Sequence, residues 1–223
     1  MTNISRASDV PLAGGLVSAM LLLVVAGVWL ERAPLLRGAV ELWIVSDPVT
    51  PADVVAVLGG SLEVRPFVAA ELYKKGLVTK VLVSQVEAAA SSKIGGIPGH
   101  SELNRTVLLK LGVPEAAIGI FGQANKNTKD EAIALRDWAY RQGVSRIIIP
   151  TEIFAARRVR WIFDREFDGS SVHLEIPSFE PPNYTRAEWW KNEEGVITFQ
   201  DCCAMLAFDG GETNGLMDFL LAS

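Results

Sequence analysis

Five short runs rich in valine and isoleucine, each followed by a helical pattern, constrain this chain more than any other feature. They are Asp53–Leu58, Lys80–Val83, Ile118–Phe121, Arg146–Ile149 and Val172–Ile176. The intervening patterns run over Phe67–Lys75, Ser101–Leu111, Asn127–Gln142 and Phe154–Phe163, with a last helix reaching about Phe208. Strand and helix alternating in this way predict an α/β fold: a doubly wound, mostly parallel five-stranded sheet with right-handed crossovers and helices on both faces. Helix ends carry local signals. Gly76 and Gly143 stand where C-caps are expected, and Gly112-Val113-Pro114 closes a third helix. Ser101 is placed to cap one helix, and Thr128 with Glu131 three residues on fits a capping box. A proline-rich loop holding Pro177, Pro181 and Pro182 leads to the last helix.

The first run ends at Gly59-Gly60-Ser61, with Arg65 close behind. Glycines let the backbone turn sharply and approach a ligand closely. The N-terminus of the next helix favours an anion in the same space, and Arg65 adds a planar, permanently charged fork for phosphate or carboxylate. The spacing is neither the G-x-G-x-x-G of dinucleotide sites nor the G-K-[ST] of P-loops, so no particular cofactor is indicated. In doubly wound sheets ligands bind beyond the C-terminal strand ends, near the switch in strand order. The polar residues expected there are Gly59, Gly60, Ser61, Ser84, Asn127, Thr128 and Thr151, with Arg65 and Arg157 nearby. For Arg158 and Arg160 surface ion pairing is the preferred reading.

A second feature is the absence of charge from Val10 to Leu30. As a helix this stretch of about 21 residues would be about 31 Å long, enough to cross a bilayer core. Trp29 sits where an interfacial aromatic is expected. The hydrophobic fraction of 49% and mean hydropathy of +0.25 owe much to this segment. The organisation expected is therefore a tail over 1–9, a transmembrane anchor over 10–31, a juxtamembrane linker over 32–51, an α/β domain over 52–209 and a tail over 210–223. Arg6 on one side of the span and Arg32 and Arg37 on the other lean weakly toward a cytoplasmic domain.

The net charge is −5, and no Lys/Arg cluster interleaved with aromatics is present, which argues against a nucleic-acid partner. Cys202 and Cys203 are neighbours, a spacing that rarely forms a disulfide, and with only His100 and His173 they make no zinc pattern. No metal is expected.

Taken in order, the pieces of the chain between Ala52 and Phe208 resemble the SanA/ElyC/YdcF-like family, a bacterial domain family of unknown function. Val57-Leu-Gly-Gly60 with Arg65 looks like its glycine loop and arginine. Glu102 looks like the acidic residue opening its second helix. Gly112-Val-Pro114 with Ile118, Asn127-Thr128 with Glu131-Ala132, and Thr151 to Arg158 resemble three further elements. Glu188-Trp-Trp with Glu193-Glu-Gly195 is similar to the C-terminal element of a membrane-anchored branch. Two departures stand out. Gln85 and Val86 replace two glycines after Ser84, and Ala155 replaces a histidine carried by many members. Alanine cannot move a proton. His100 is the other histidine near the strand ends.

The resemblance implies a single-pass protein of the bacterial cytoplasmic (inner) membrane, with its α/β domain outside the cytoplasm, acting in cell-wall or surface-polysaccharide metabolism. The resemblance establishes no reaction; the glycine turn and arginines themselves point to an anionic, phosphate-bearing ligand, such as a lipid-linked sugar intermediate. Arg65 and Arg157 would clamp the anion, the amides of Gly59 to Ser61 would cradle it, and Glu102 or Glu131 would be the acid or base. An alternative is a non-catalytic binding or scaffold module with a degenerate site, for which Ala155 is the main argument. A third reading, a nucleotide-cofactor protein, rests on fold analogy alone, with Glu87 the one acidic residue near the end of the second strand.

Overall fold

A computed structural model of the chain describes residues 10–88, 92 and 98–209. The expected tails at 1–9 and 210–223, and most of the loop expected over Glu87–Gly99, lie outside the described residues.

The chain divides into two compact units, 1–41 and 42–223. In the first, helix α1 spans Val10–Leu30 and α2 begins at Arg32, running to Trp43 across the division. Within its own unit α1 leaves its apolar side chains uncovered, from Leu16 through Leu30. Arg32 donates to the Trp29 carbonyl at 2.6 Å and lies 4.3 Å from the centre of its ring. Among the described residues no single helix is long and apolar enough to cross a membrane. Gly15–Leu30 and Arg32–Glu41 meet the length and composition only as a pair, bent by 65°.

The second unit holds β1 (Val54–Val57), α3 (Arg65–Lys74), β2 (Lys80–Val86), α4 (His100–Lys110), β3 (Ile118–Asn125) and α5 (Thr128–Gln142). It continues with β4 (Arg146–Ile148), β5 (Thr151–Glu152), α6 (Ala156–Glu166), β6 (His173–Glu175), β7 (Ser178–Phe179) and α7 (Glu193–Asp209). Five strands form a parallel sheet in the order β3-β2-β1-β4-β6. Val55 sits opposite Val81 on one side and Ile148 on the other. This is the α/β sheet that the five apolar runs predict.

Successive side chains on a strand point to opposite faces, and β1 shows both sides of the core. Val54, Ala56 and Leu58 pack with Leu135 and Ala139 of α5 and Val159 and Phe163 of α6. Val55 and Val57 pack with Ala69 and Leu72 of α3 and Leu108 of α4. Burial on both faces explains why β1 is apolar at every position rather than alternating. A small parallel pair, β5 with β7, continues the β4 and β6 chain directions beyond Pro150 and Pro177. The apolar pattern does not announce it.

Gly76 and Gly143 adopt the left-handed conformation expected past a helix end, with φ of 69° and 66°. Two capping expectations are corrected. Asn127, not Thr128, is the N-cap of α5: its Oδ1 accepts from the Asp130 amide at 2.9 Å, and Asp130 reaches back to the Lys126 amide at 3.0 Å. Thr128 and Glu131 are thereby released for other partners. Ser101 does not cap α4, whose N-cap is Gly99. Its hydroxyl donates to the Ser84 carbonyl (2.7 Å) and accepts from the Val86 amide (2.9 Å), so it ties α4 to the irregular end of β2.

Residues 42–51, expected to be linker, bind to the domain. The Asp47 carboxylate accepts from the Ile176 amide at 2.7 Å and pairs with Arg160. Thr50 donates both its amide (2.9 Å) and its hydroxyl to Glu175, a carboxylate 4% exposed. Ser46 accepts from the Ser178 amide at 2.9 Å. The segment thus covers β6, an edge strand whose unpaired backbone would otherwise be open to other chains.

Candidate functional site at the strand-order switch

Chain order reverses between β1 and β4, so the loops leaving them depart to opposite faces and open a crevice. Arg65 fills its floor. The side chain is 6% exposed although it begins a helix. One guanidinium nitrogen donates to the Gly59 carbonyl, another to Thr151 Oγ1 at 3.3 Å, and Nε has no partner. Arg65 therefore joins the turn after β1 to the segment after β4. Burial pushes its pKa below the ordinary value, and the carboxylates of Glu152 and Glu131 oppose that shift. A guanidinium stays charged throughout the physiological range.

The glycine turn is shaped by its neighbours. A Cβ on Gly59 would lie 2.5 Å from Val86 Cγ2 and 3.3 Å from Glu131 Oε1. Gly60 has φ of 79°, and Ser61 follows at 48°. The Ser61 hydroxyl is buried without a partner. The Gly59 amide donates to Glu131 Oε1 at 2.7 Å, so the acceptor it meets in the folded chain is a carboxylate from α5.

The other expected residues separate into two groups. Thr151 and Glu131 are in the crevice, and Thr128 borders it, accepting from Arg158 Nη1 at 2.9 Å. Ser84 is buried with its hydroxyl taken by Asn125 Nδ2 at 3.0 Å. Asn127 is exposed and serves as a cap. Glu102 is exposed in the first turn of α4, and His100 is exposed beside it; neither belongs to the charges acting on Arg65. Arg157 turns its Nε to the Trp43 carbonyl at 3.0 Å, toward the segment entering the domain. The cation that acts on Arg65 is Arg158, whose own Nε is buried without a partner. Arg157 thus faces the entry segment through its Nε, while Arg158 is the cation whose charge acts on Arg65.

The sequence reading missed Glu152. It follows Thr151 directly, is half-buried, and makes no hydrogen bond through its carboxyl among the described residues. Burial raises its pKa above the usual carboxylate value and the Glu194 carboxylate adds to the rise, while Arg65 and Arg158 oppose it. A carboxylate at the C-terminal end of the fourth strand was a legible signal that went unused. Ala155, in contrast, is 7% exposed and packs in the core with Val159 and Phe163.

Elsewhere, a groove of about 840 Å³ lies between Arg136–Ser145 and Asp168–Val172, before the start of β4 and β6. Among the described residues, none of the buried, unpartnered polar atoms lines it. No group of acidic, histidine and cysteine side chains suited to a metal occurs among the described residues. Three unpartnered buried donors, on Arg65, Arg158 and Ser61, belong to the elements that meet at the switch point. No family model matches the chain, and no curated protein matches it.

Proposed function

We propose that this chain is a membrane-anchored protein of the bacterial cell envelope whose α/β domain binds an anionic, phosphate-bearing ligand at the β1/β4 switch. The observation that carries the reading is Arg65: a nearly buried guanidinium with an unpartnered Nε, beside the unpartnered Ser61 hydroxyl. Leaving a buried donor unmade costs about 1–3 kcal/mol, and an oxyanion would satisfy both donors at once. Arg158 supplies the second cation.

Other features support the wider reading. The bare apolar surface of α1 suits a hydrocarbon surrounding, and an anchor would hold the domain near a lipid-linked ligand. The ordered resemblance to the SanA/ElyC/YdcF-like family is part of the same proposal, as is an extracytoplasmic domain serving wall or surface-polysaccharide metabolism. A second reading, a binding module without catalysis, is favoured by Ala155, which leaves an apolar methyl in the core where many relatives carry a histidine.

Calorimetric titration of inorganic phosphate into the full chain in detergent micelles tests the site. Saturable binding is expected, with at least about a tenfold loss in Arg65→Ala. Equal affinity in that variant would remove the proposal. A reporter fused to the C-terminus reads sidedness and the anchor together.

A further inference from the structure

An anion site lined only by donors would be simple to explain. This one also contains a carboxyl. The fixed charges around the crevice are Arg65 from α3, Arg158 from α6, Glu131 from α5 and Glu152 from β5, with Glu194 of α7 acting on Glu152 from the other side. With all of them ionised the two guanidinium groups are already matched by Glu131 and Glu152. Glu131 has a protein donor, the Gly59 amide. Glu152 has none among the described residues, though it lies half-buried beside the same guanidinium. Glu152 directly follows Thr151, whose hydroxyl accepts from Arg65 at 3.3 Å, so an unpartnered carboxyl and a guanidinium with an unpartnered Nε belong to one neighbourhood, which suits a ligand presenting an acceptor to one and a proton to the other.

We propose that Glu152 is the specificity-determining residue of the site, admitting a phosphate that can carry a proton (inorganic phosphate or a phosphate monoester) and rejecting oxyanions that cannot, such as sulfate and phosphodiesters. The inference rests on the anion-site reading above and narrows it: a sugar joined to a lipid through phosphate is esterified at both ends, so the ligand admitted is the free phosphate or a lipid phosphate monoester, not the joined intermediate. One proton lies between the Glu152 carboxyl and a ligand oxygen. Inorganic phosphate keeps one proton throughout the neutral range and can donate it in a charge-assisted hydrogen bond; a monoester, whose last proton leaves near pH 6, can do so only in its monoanionic form, which dominates in mild acid. Sulfate and a phosphodiester bring none. They would set a bare oxyanion against a carboxylate, which like-charge repulsion disfavours. They bind only once Glu152 is itself protonated. The raised pKa of Glu152 moves that condition toward accessible pH, so the rejection of sulfate should relax as pH falls.

Titration of inorganic phosphate and of sulfate into the full chain in detergent micelles, at about pH 8 and about pH 5.5, tests this. The expected result is a preference for phosphate of about tenfold to a hundredfold at the higher pH, shrinking at the lower. In Glu152→Gln, a neutral side chain of the same shape, both anions should bind within about threefold of each other at both pH values. Equal wild-type affinities at the higher pH, or an undiminished preference in Glu152→Gln, would overturn the inference while leaving the anion site standing. Failure of wild type to bind either anion at either pH would bring down the anion site and this inference with it. If Glu152→Gln does not fold, the wild-type ratio at the two pH values decides alone.

Discussion

Glu131 Oε1 accepts the Gly59 amide at 2.7 Å, joining residues 72 positions apart in sequence. One carboxylate thereby pins the turn after β1 from the first turn of α5, and it also lies within the field of Arg65. Glu131 is 6% exposed, and its contact with the turn gives it a positioning role. Replacing it by Gln keeps an acceptor for the amide; replacing it by Ala does not. Glu131→Ala should lose about 1–3 kcal/mol in urea unfolding and Glu131→Gln clearly less. Glu131→Gln should also tighten phosphate binding, because one negative charge beside Arg65 is gone.

Gly59 leaves no space for a side chain. The added methyl of Gly59→Ala would meet Val86 Cγ2 at 2.5 Å and crowd Glu131. Overpacking of this kind costs about 1–3 kcal/mol. The expected outcome is a lowered thermal midpoint together with weakened phosphate binding. Unchanged stability would contradict the close packing of the β1 turn against Val86.

Glu175 holds the entry segment. It is 4% exposed, accepts two hydrogen bonds from Thr50, and lies 3.6 Å from Arg146. Arg146 is 44% exposed, so solvent screens that pair; the loss in Glu175→Ala comes mainly from the Thr50 donors left without an acceptor, about 1–3 kcal/mol in denaturant unfolding. Thr50→Ala, which keeps the amide bond, should cost about 1 kcal/mol.

Asp53 closes the N-terminal end of the sheet on the solvent side. Its Oδ2 accepts from the Ser145 amide (2.9 Å), the Ser145 hydroxyl (3.0 Å) and the Arg146 amide (2.9 Å). The Ser145 and Arg146 amides lower its pKa below the usual carboxylate value. A depressed folded-state pKa adds stability that is present above the unfolded-state pKa and fades as pH falls through the folded one. Asp53→Asn should therefore be less stable than wild type at neutral pH by about 1 kcal/mol, discounted for exposure. The difference should shrink in acid, below about pH 4. A constant difference would contradict the hydrogen-bond account.

Much of this domain was written in local pattern. Hydrophobic runs at β1 and β4, glycines past α3 and α5, and their order along the chain determined a parallel α/β sheet, because burial on both faces and left-handed helix ends each demand particular residue types. The place of the crevice followed from the same pattern. What filled it did not. Consecutive residues on a helix point about 100° apart, so whether Arg157 or Arg158 joined Arg65 depended on the rotation of α6, which the packing of Ala155, Val159 and Phe163 sets. Thr128 and Glu131 looked like a local capping pair until Asn127 and Asp130 took that role. The Gly59 amide found its acceptor in Glu131, on another element. Sequence alone determined which segments become strands and helices, since that is a matter of neighbours in the chain. Only the tertiary structure decided which charges meet, since guanidinium and carboxylate groups pair across space with whatever the packed helices bring within reach.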